Sequence, residues 1–88
     1  MECRDLERRP CPCCGYRTVD GAPPGSDEIC AVCGWQDDDV QYEDPTFEGG
    51  PNRGKSLEQA RAEFDERLSQ VPHLERHLSD EWGVRDAR

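Results

Sequence analysis

Two short stretches of this chain, Cys11-Pro-Cys-Cys-Gly-Tyr16 and Cys30-Ala-Val-Cys-Gly-Trp35, share the pattern C-x2-C-G-aromatic. Fifteen residues lie between Cys14 and Cys30, so the whole reads C-x2-C-x15-C-x2-C, a metal-site spacing. Two thiolates separated by two residues reach one ion from a single tight turn. The glycine that follows takes a positive φ at little cost and turns amide N–H groups back toward the sulfurs. Two such turns supply four sulfurs, enough for a closed tetrahedral site. Cys11, Cys14, Cys30 and Cys33 are the expected metal ligands, holding one Zn2+ per chain, with iron the less favoured ion.

Composition makes that ion a condition of folding. Leu, Ile, Val and Phe account for only 13 of 88 residues, against a formal charge of −9. A chain so poor in apolar residues does not offset the conformational entropy of ordering itself. A structural zinc site contributes on the order of 10–16 kcal/mol of apparent binding energy, which reverses the balance. Three disulfides from the six cysteines are the competing use of the sulfur, and they require an oxidising compartment. The N-terminal Met-Glu-Cys-Arg-Asp-Leu-Glu-Arg-Arg lacks the apolar core of a signal peptide, and no apolar run approaches a membrane span. The expectation is a cytoplasmic chain with reduced thiols.

The Cys-Pro-Cys-Cys-Gly-Tyr start, the Cys-x-Val-Cys-Gly-Trp second knuckle, the acidic run after it and the later Gly-Gly-Pro-Asn and Ser-Leu-Glu-Gln-Ala-Arg segments resemble the bacterial CPCC cysteine-rich family over roughly residues 10 to 65. The resemblance implies a small zinc-ribbon-like domain and no particular reaction. The knuckles are also similar, more loosely, to those of rubredoxin, which holds one iron in two such turns. The fold expected is a small metal-stabilised α+β unit, a zinc-ribbon or rubredoxin-like knuckle pair with a short β-hairpin, followed by one or two α-helices.

Along the chain, residues 1–9 read as a flexible charged arm in which Cys3 is a spare thiol. Residues 10–48 read as the four-cysteine ribbon with its acidic loop. Within it, Tyr16–Val19 and Glu28–Cys30 are expected to pair as a hairpin across the turn-rich Asp20-Gly-Ala-Pro-Pro-Gly25. Tyr16 and Trp35, equivalent in the two repeats, are expected to lie over the sulfurs. Cys13 falls mid-turn, pointing away from the ion or along its rim. In the acidic loop, Val40, Tyr42 and Phe47 are the residues expected to be buried. Residues 49–83 read as a helical extension packed on the ribbon. Ser56 with Gln59 forms a capping box, and Leu57, Ala60, Phe64, Leu68 and Val71 make one apolar stripe. Leu74, Leu78 and Trp82 mark a second helix that includes Pro72 in its first turn and ends near Gly83. His73 and His77 have a helical metal-pair spacing but lie far from the cysteines, so a surface pair is the expectation. Residues 84–88 are expected to fray.

The charge is uneven. Residues 20–48 carry nine acidic groups and no basic ones, and a four-thiolate zinc site makes the region more negative still. That face repels phosphate backbones and suits a basic protein partner. The carboxylates do not follow an EF-hand loop, and Gly49 to Ser56 follows the tail of a phosphate-loop pattern without a preceding apolar strand. The reading is a zinc module acting through protein–protein contact, with no catalytic set of residues. The alternatives are a redox or thiol protein using iron or Cys13, and a nucleic-acid-binding ribbon using Arg4, Arg8, Arg9 and Arg17.

Overall fold

The computed structural model describes residues 8–21 and 25–86, so Cys3, Arg4 and most of the expected arm lie outside the described residues. Each knuckle reverses the chain by the same backbone bonds. In the first, the Cys11 N–H donates to Tyr16 O at 2.8 Å and the Gly15 N–H to Cys11 O at 2.9 Å. In the second, the Cys30 N–H donates to Trp35 O and the Gly34 N–H to Cys30 O, both at 2.9 Å. Gly15 and Gly34 sit at φ +85° and +82°, where an L side chain is disfavoured.

Because each turn closes on itself, its own flanks become strand partners. Arg9–Pro10 (β1) pairs antiparallel with Arg17–Val19 (β2), with an irregularity between Arg9 and Pro10. Ile29 bridges Gln36 across the second knuckle. This corrects the hairpin expected between Tyr16–Val19 and Glu28–Cys30. The knuckle delivers the entering segment to β2 before Glu28 can reach it, and the ordered pairing begins within the expected arm. Side chains join the two units instead. The Glu28 carboxylate accepts from the Asp20 N–H at 2.9 Å and the Gly21 N–H at 2.8 Å, and Thr18 Oγ1 donates to Cys30 Sγ at 2.9 Å.

The acidic loop contains a helix the apolar pattern does not announce, Asp39–Glu43 (α1). Asp38 caps it, its carboxylate accepting from the Gln41 N–H at 3.0 Å. Val40, Tyr42 and Phe47, expected inside, are exposed, and Gln41 is fully buried in their place. Its Nε2 donates to Phe47 O at 2.8 Å and Lys55 O at 2.7 Å, and its Oε1 accepts from Asn52 Nδ2 at 2.8 Å. Asn52 in turn exchanges bonds with the Gln36 backbone, accepting at 2.8 Å and donating at 3.1 Å. A buried glutamine and a half-buried asparagine, bonded to each other and to the backbone, tie this loop down where apolar burial was expected. The expected division at residues 48 and 49 falls inside this clasp.

Leu57–Gln70 (α2) begins at the predicted capping box: Ser56 Oγ accepts from the Gln59 N–H at 3.1 Å, and the Gln59 side chain accepts from the Ser56 N–H at 2.9 Å. The Glu58 N–H, an orphan donor of the first turn, is taken by Pro45 O at 2.9 Å. The stripe buries Leu57 and Phe64 and packs Ala60 and Leu68 at the core's edge, but Val71 is exposed. Val71 is the helix C-cap, with ψ +92°, as the proline after it requires. Leu74–Trp82 (α3) follows. Pro72 lies before its first turn, in a bend closed by the Leu74 N–H to Val71 O at 3.0 Å. Leu78 is buried, Leu74 and Trp82 pack partly against the core, and the helix stops at Gly83, φ +85°.

After α3 the described residues run back to the first knuckle as far as Asp86. The Asp86 N–H donates to Gly15 O at 2.7 Å, its carboxylate meets Arg17 at 2.9 Å, and Arg85 lies 5.6 Å from the Phe64 ring centroid. Arg85 and Asp86 thus contact the core through a backbone bond, an ion pair and a cation–π contact. The molecule is a slab of 36 × 35 × 19 Å.

Candidate metal centre

Cys11, Cys14 and Cys30 are buried and Cys33 nearly so, and their four sulfurs all lie within 4.8 Å of one another. Cys11 Sγ is 3.6 Å from Cys33 Sγ, and Cys14 Sγ is 3.7 Å from Cys30 Sγ. A tetrahedral zinc with Zn–S of about 2.3 Å spaces its sulfurs about 3.8 Å apart, close to both of these separations. The four cysteines are positioned to hold a metal ion.

Backbone amides point at the sulfurs, as the glycine turns require. Cys11 Sγ accepts from the Cys13 N–H at 3.4 Å, and Cys30 Sγ from the Val32 and Cys33 N–H groups at 3.3 and 3.4 Å. Thr18 adds a hydroxyl donor to Cys30. These donors stabilise thiolate charge. Thr18 carries no motif signal; only the folded chain brings it to the sulfur.

The four thiols do not ionise independently. The Cys14 thiol is pushed far up by its hydrogen bond to Cys11, then by those to Cys30 and Cys33 and by burial. Cys30 is pushed the other way by its contacts with Cys11, Cys14 and Cys33, with the Thr18 hydroxyl adding to them and burial opposing. At Cys11 the contact with Cys14 lowers the thiol, but contacts with Cys30 and Cys33 and burial outweigh it. At Cys33 a similar pull from Cys11 is outweighed through Cys13, Cys30 and burial. Four thiolates held this close together and out of water require a cation among them.

Cys13 is buried in the same core as the cluster and stands outside the four-sulfur group. Tyr16 and Trp35 are both buried in the core containing the cysteines, and Tyr16 meets Phe64 edge-to-face at a centroid distance of 6.3 Å. Arg61 Nε donates to Pro12 O at 2.9 Å, anchoring α2 on the first knuckle. His73 and His77 are exposed on and beside α3 and join no metal cluster among the described residues. Of the basic residues considered for phosphate contact, Arg8 pairs with Asp20 at 3.4 Å and Arg17 with Asp86, while Arg4 lies outside the described residues. No helix among the described residues is long and apolar enough to cross a membrane.

No curated protein matches this chain. Residues 9–78 match the family described as Cysteine-rich CPCC, a span that contains both knuckles, the Gln41–Asn52 clasp and all of α2. With its four cysteines gathered in the arrangement that the family's opening motif starts, the chain belongs to the Cysteine-rich CPCC family.

Proposed function

We propose that this chain is a zinc-stabilised interaction module of the zinc-ribbon type. One Zn2+ held by Cys11, Cys14, Cys30 and Cys33 fixes the fold, and the acidic surface engages a basic protein partner in a reducing compartment such as the cytoplasm. The observation that carries this reading is the closed donor set. Four mutually close protein sulfurs fill a tetrahedral ion and leave no position for a substrate or an activated water, unlike a catalytic zinc with three protein ligands. Asp39, Glu43, Asp44 and Glu48 lie exposed beside exposed Val40, Tyr42 and Phe47. Carboxylates around apolar anchors suit a basic segment that carries apolar side chains of its own.

The test is native mass spectrometry of the purified protein, with cysteine alkylation before and after chelation. One zinc per chain, with four cysteines protected until the chelator is added, supports the structural site. Bound iron moves the function toward electron transfer, and a mass six hydrogens short replaces the metal with disulfides. For the partner, capture that weakens as salt rises supports the acidic surface, whereas capture indifferent to ionic strength removes it.

A further inference from the structure

Beside the metal centre a cleft of about 510 Å³ opens between the second knuckle, the turn at residues 51–54 and one face of α2. Cys13 and Cys33 lie along it, with Ile29, Pro51 and Ala60 as apolar wall. Three cations, Arg53, Lys55 and Arg67, and one carboxylate, Glu63, also line it. Lys55 and Glu63 neutralise each other in an ion pair of 2.5 Å. Arg53 and Arg67 have no ion pair among the described residues. Arg61 and Arg76 likewise show no ion pair among the described residues, but Arg53 and Arg67 are the two such arginines that line this cleft.

Arg53 is also held in place. The side chain of Asn52 before it is pinned to Gln36 and Gln41, and the Lys55 carbonyl after it accepts from Gln41 at 2.7 Å. Between these clamps Arg53 has φ +60°, a left-handed conformation uncommon for a residue with a side chain. Arg67 projects from the α2 face that also presents Ala60, Glu63 and Phe64 to the cleft, at the i, i+3, i+4 and i+7 positions of one helix side.

We propose that this cleft is a binding site for a small organic anion, with a carboxylate or phosphate head and an apolar body. The head lies between the Arg53 and Arg67 guanidiniums, which present planar forks suited to either oxyanion. The apolar body lies against Ile29, Pro51 and Ala60. This orientation keeps the ligand's charge at the arginines and its neutral end toward the sulfurs. A polyanion is disfavoured by the acidic remainder of the molecule. The site goes beyond the partner surface proposed above, which lies on the acidic loop.

The test uses the full metal-loaded chain, labelled with 15N, titrated separately with phenyl phosphate, benzoate and phenol. At least one of the two anions is expected to give saturable amide shifts at Trp35, Arg53 and Lys55 with a Kd of about 1 mM, and phenol is expected to bind far more weakly. The tighter of the two anions identifies the head group. Arg53→Gln and Arg67→Gln are each expected to weaken binding about tenfold, the loss of one charge-assisted contact, while Arg76→Gln on the exposed face of α3 leaves it unchanged. The proposal is overturned if neither anion saturates, if Arg76→Gln weakens binding equally, or if phenol binds as well as the anions. It is also overturned if the two cleft substitutions lower metal retention and leave anion binding intact, since the arginines then only offset the charge of the sulfur cluster.

Discussion

The two glycines after the knuckle cysteines have the same φ and the same local bonds, yet they stand in different surroundings. A Cβ on Gly15 would overlap the carbonyl oxygen of Asp86, while one on Gly34 would meet nothing within 4 Å. Gly34→Ala is therefore expected to cost only the left-handed penalty, about 1 kcal/mol. Gly15→Ala carries the same penalty and also displaces the chain end from its bond to Gly15 O, for about 3 kcal/mol in all. Denaturant unfolding of the two metal-loaded variants measures the difference, and equal costs would mean that the end of the chain contributes nothing to stability. The cysteines give a second prediction at this scale. Cys11, Cys14 and Cys33 are all raised above the ordinary thiol range in the cluster, so they hold protons that an arriving cation must displace. The metal-loaded form binds fewer protons than the metal-free form. Affinity therefore falls as pH falls, by up to about tenfold per displaced proton per pH unit. Competition with a chelator between about pH 6 and about pH 8 reads that slope, and a flat profile would show that the thiols are already ionised before the metal arrives. Cys13→Ser is expected to leave both stoichiometry and slope intact, because Cys13 stands outside the four-sulfur group.

Among the elements, the acidic loop is the one whose support differs most from what its sequence suggests. Its aromatic and aliphatic residues face outward, and a glutamine and an asparagine hold it from within. Gln41→Leu keeps the approximate volume but leaves the carbonyls of Phe47 and Lys55 and the Asn52 amide without their partner. Buried groups left unpaired cost about 1–3 kcal/mol each where water does not replace the bond, so a loss of about 3 kcal/mol is expected in denaturant unfolding. Hydrogen exchange should also accelerate over residues 36–55 ahead of α2; unchanged exchange there would mean that water substitutes for the side chain. The same loop marks the limit of legibility in the sequence. The four-cysteine cluster was readable because metal-holding chemistry needs fixed residue types at fixed short spacings, and the capping box of α2 was readable for the same reason. Helix α3 showed in the period of Leu74, Leu78 and Trp82. The strand pairing did not show, because two adjacent candidate strands look alike whether a turn joins them or a knuckle claims one of them first. Gln41 and Asn52 did not show either, since an amide's burial depends on partners ten or more residues away and leaves no periodic trace. Arg53 and Arg67 were equally silent: separate positive charges become one feature only when the turn and the helix meet.

At the scale of the whole molecule, the sulfurs occupy the place that apolar side chains fill in larger proteins. Among the described residues the buried hydrophobic set consists of ten, and four of them are Cys11, Cys13, Cys14 and Cys30. What remains is Tyr16, Val19, Trp35, Leu57, Phe64 and Leu78, gathered around two turns that the ion would join. Helices of 14 and nine residues are marginal in water unless docked, and both dock on this cluster. Removing the metal is therefore expected to unfold the chain as a unit. The ion's contribution, on the order of 10–16 kcal/mol, equals or exceeds the roughly 5–15 kcal/mol of net stability ordinary domains possess. A strong chelator under reducing conditions should abolish most of the helical far-ultraviolet circular dichroism, and restored zinc should recover it. If α2 and α3 keep their signal after the ion is gone, the Gln41–Asn52 clasp and the Tyr16–Phe64 contact suffice to hold them. The metal would then tune a folded protein, and its loss would leave the acidic surface and the arginine cleft in place. If the signal collapses, both surfaces exist only in the loaded protein, and metal supply sets how much of the chain can bind anything.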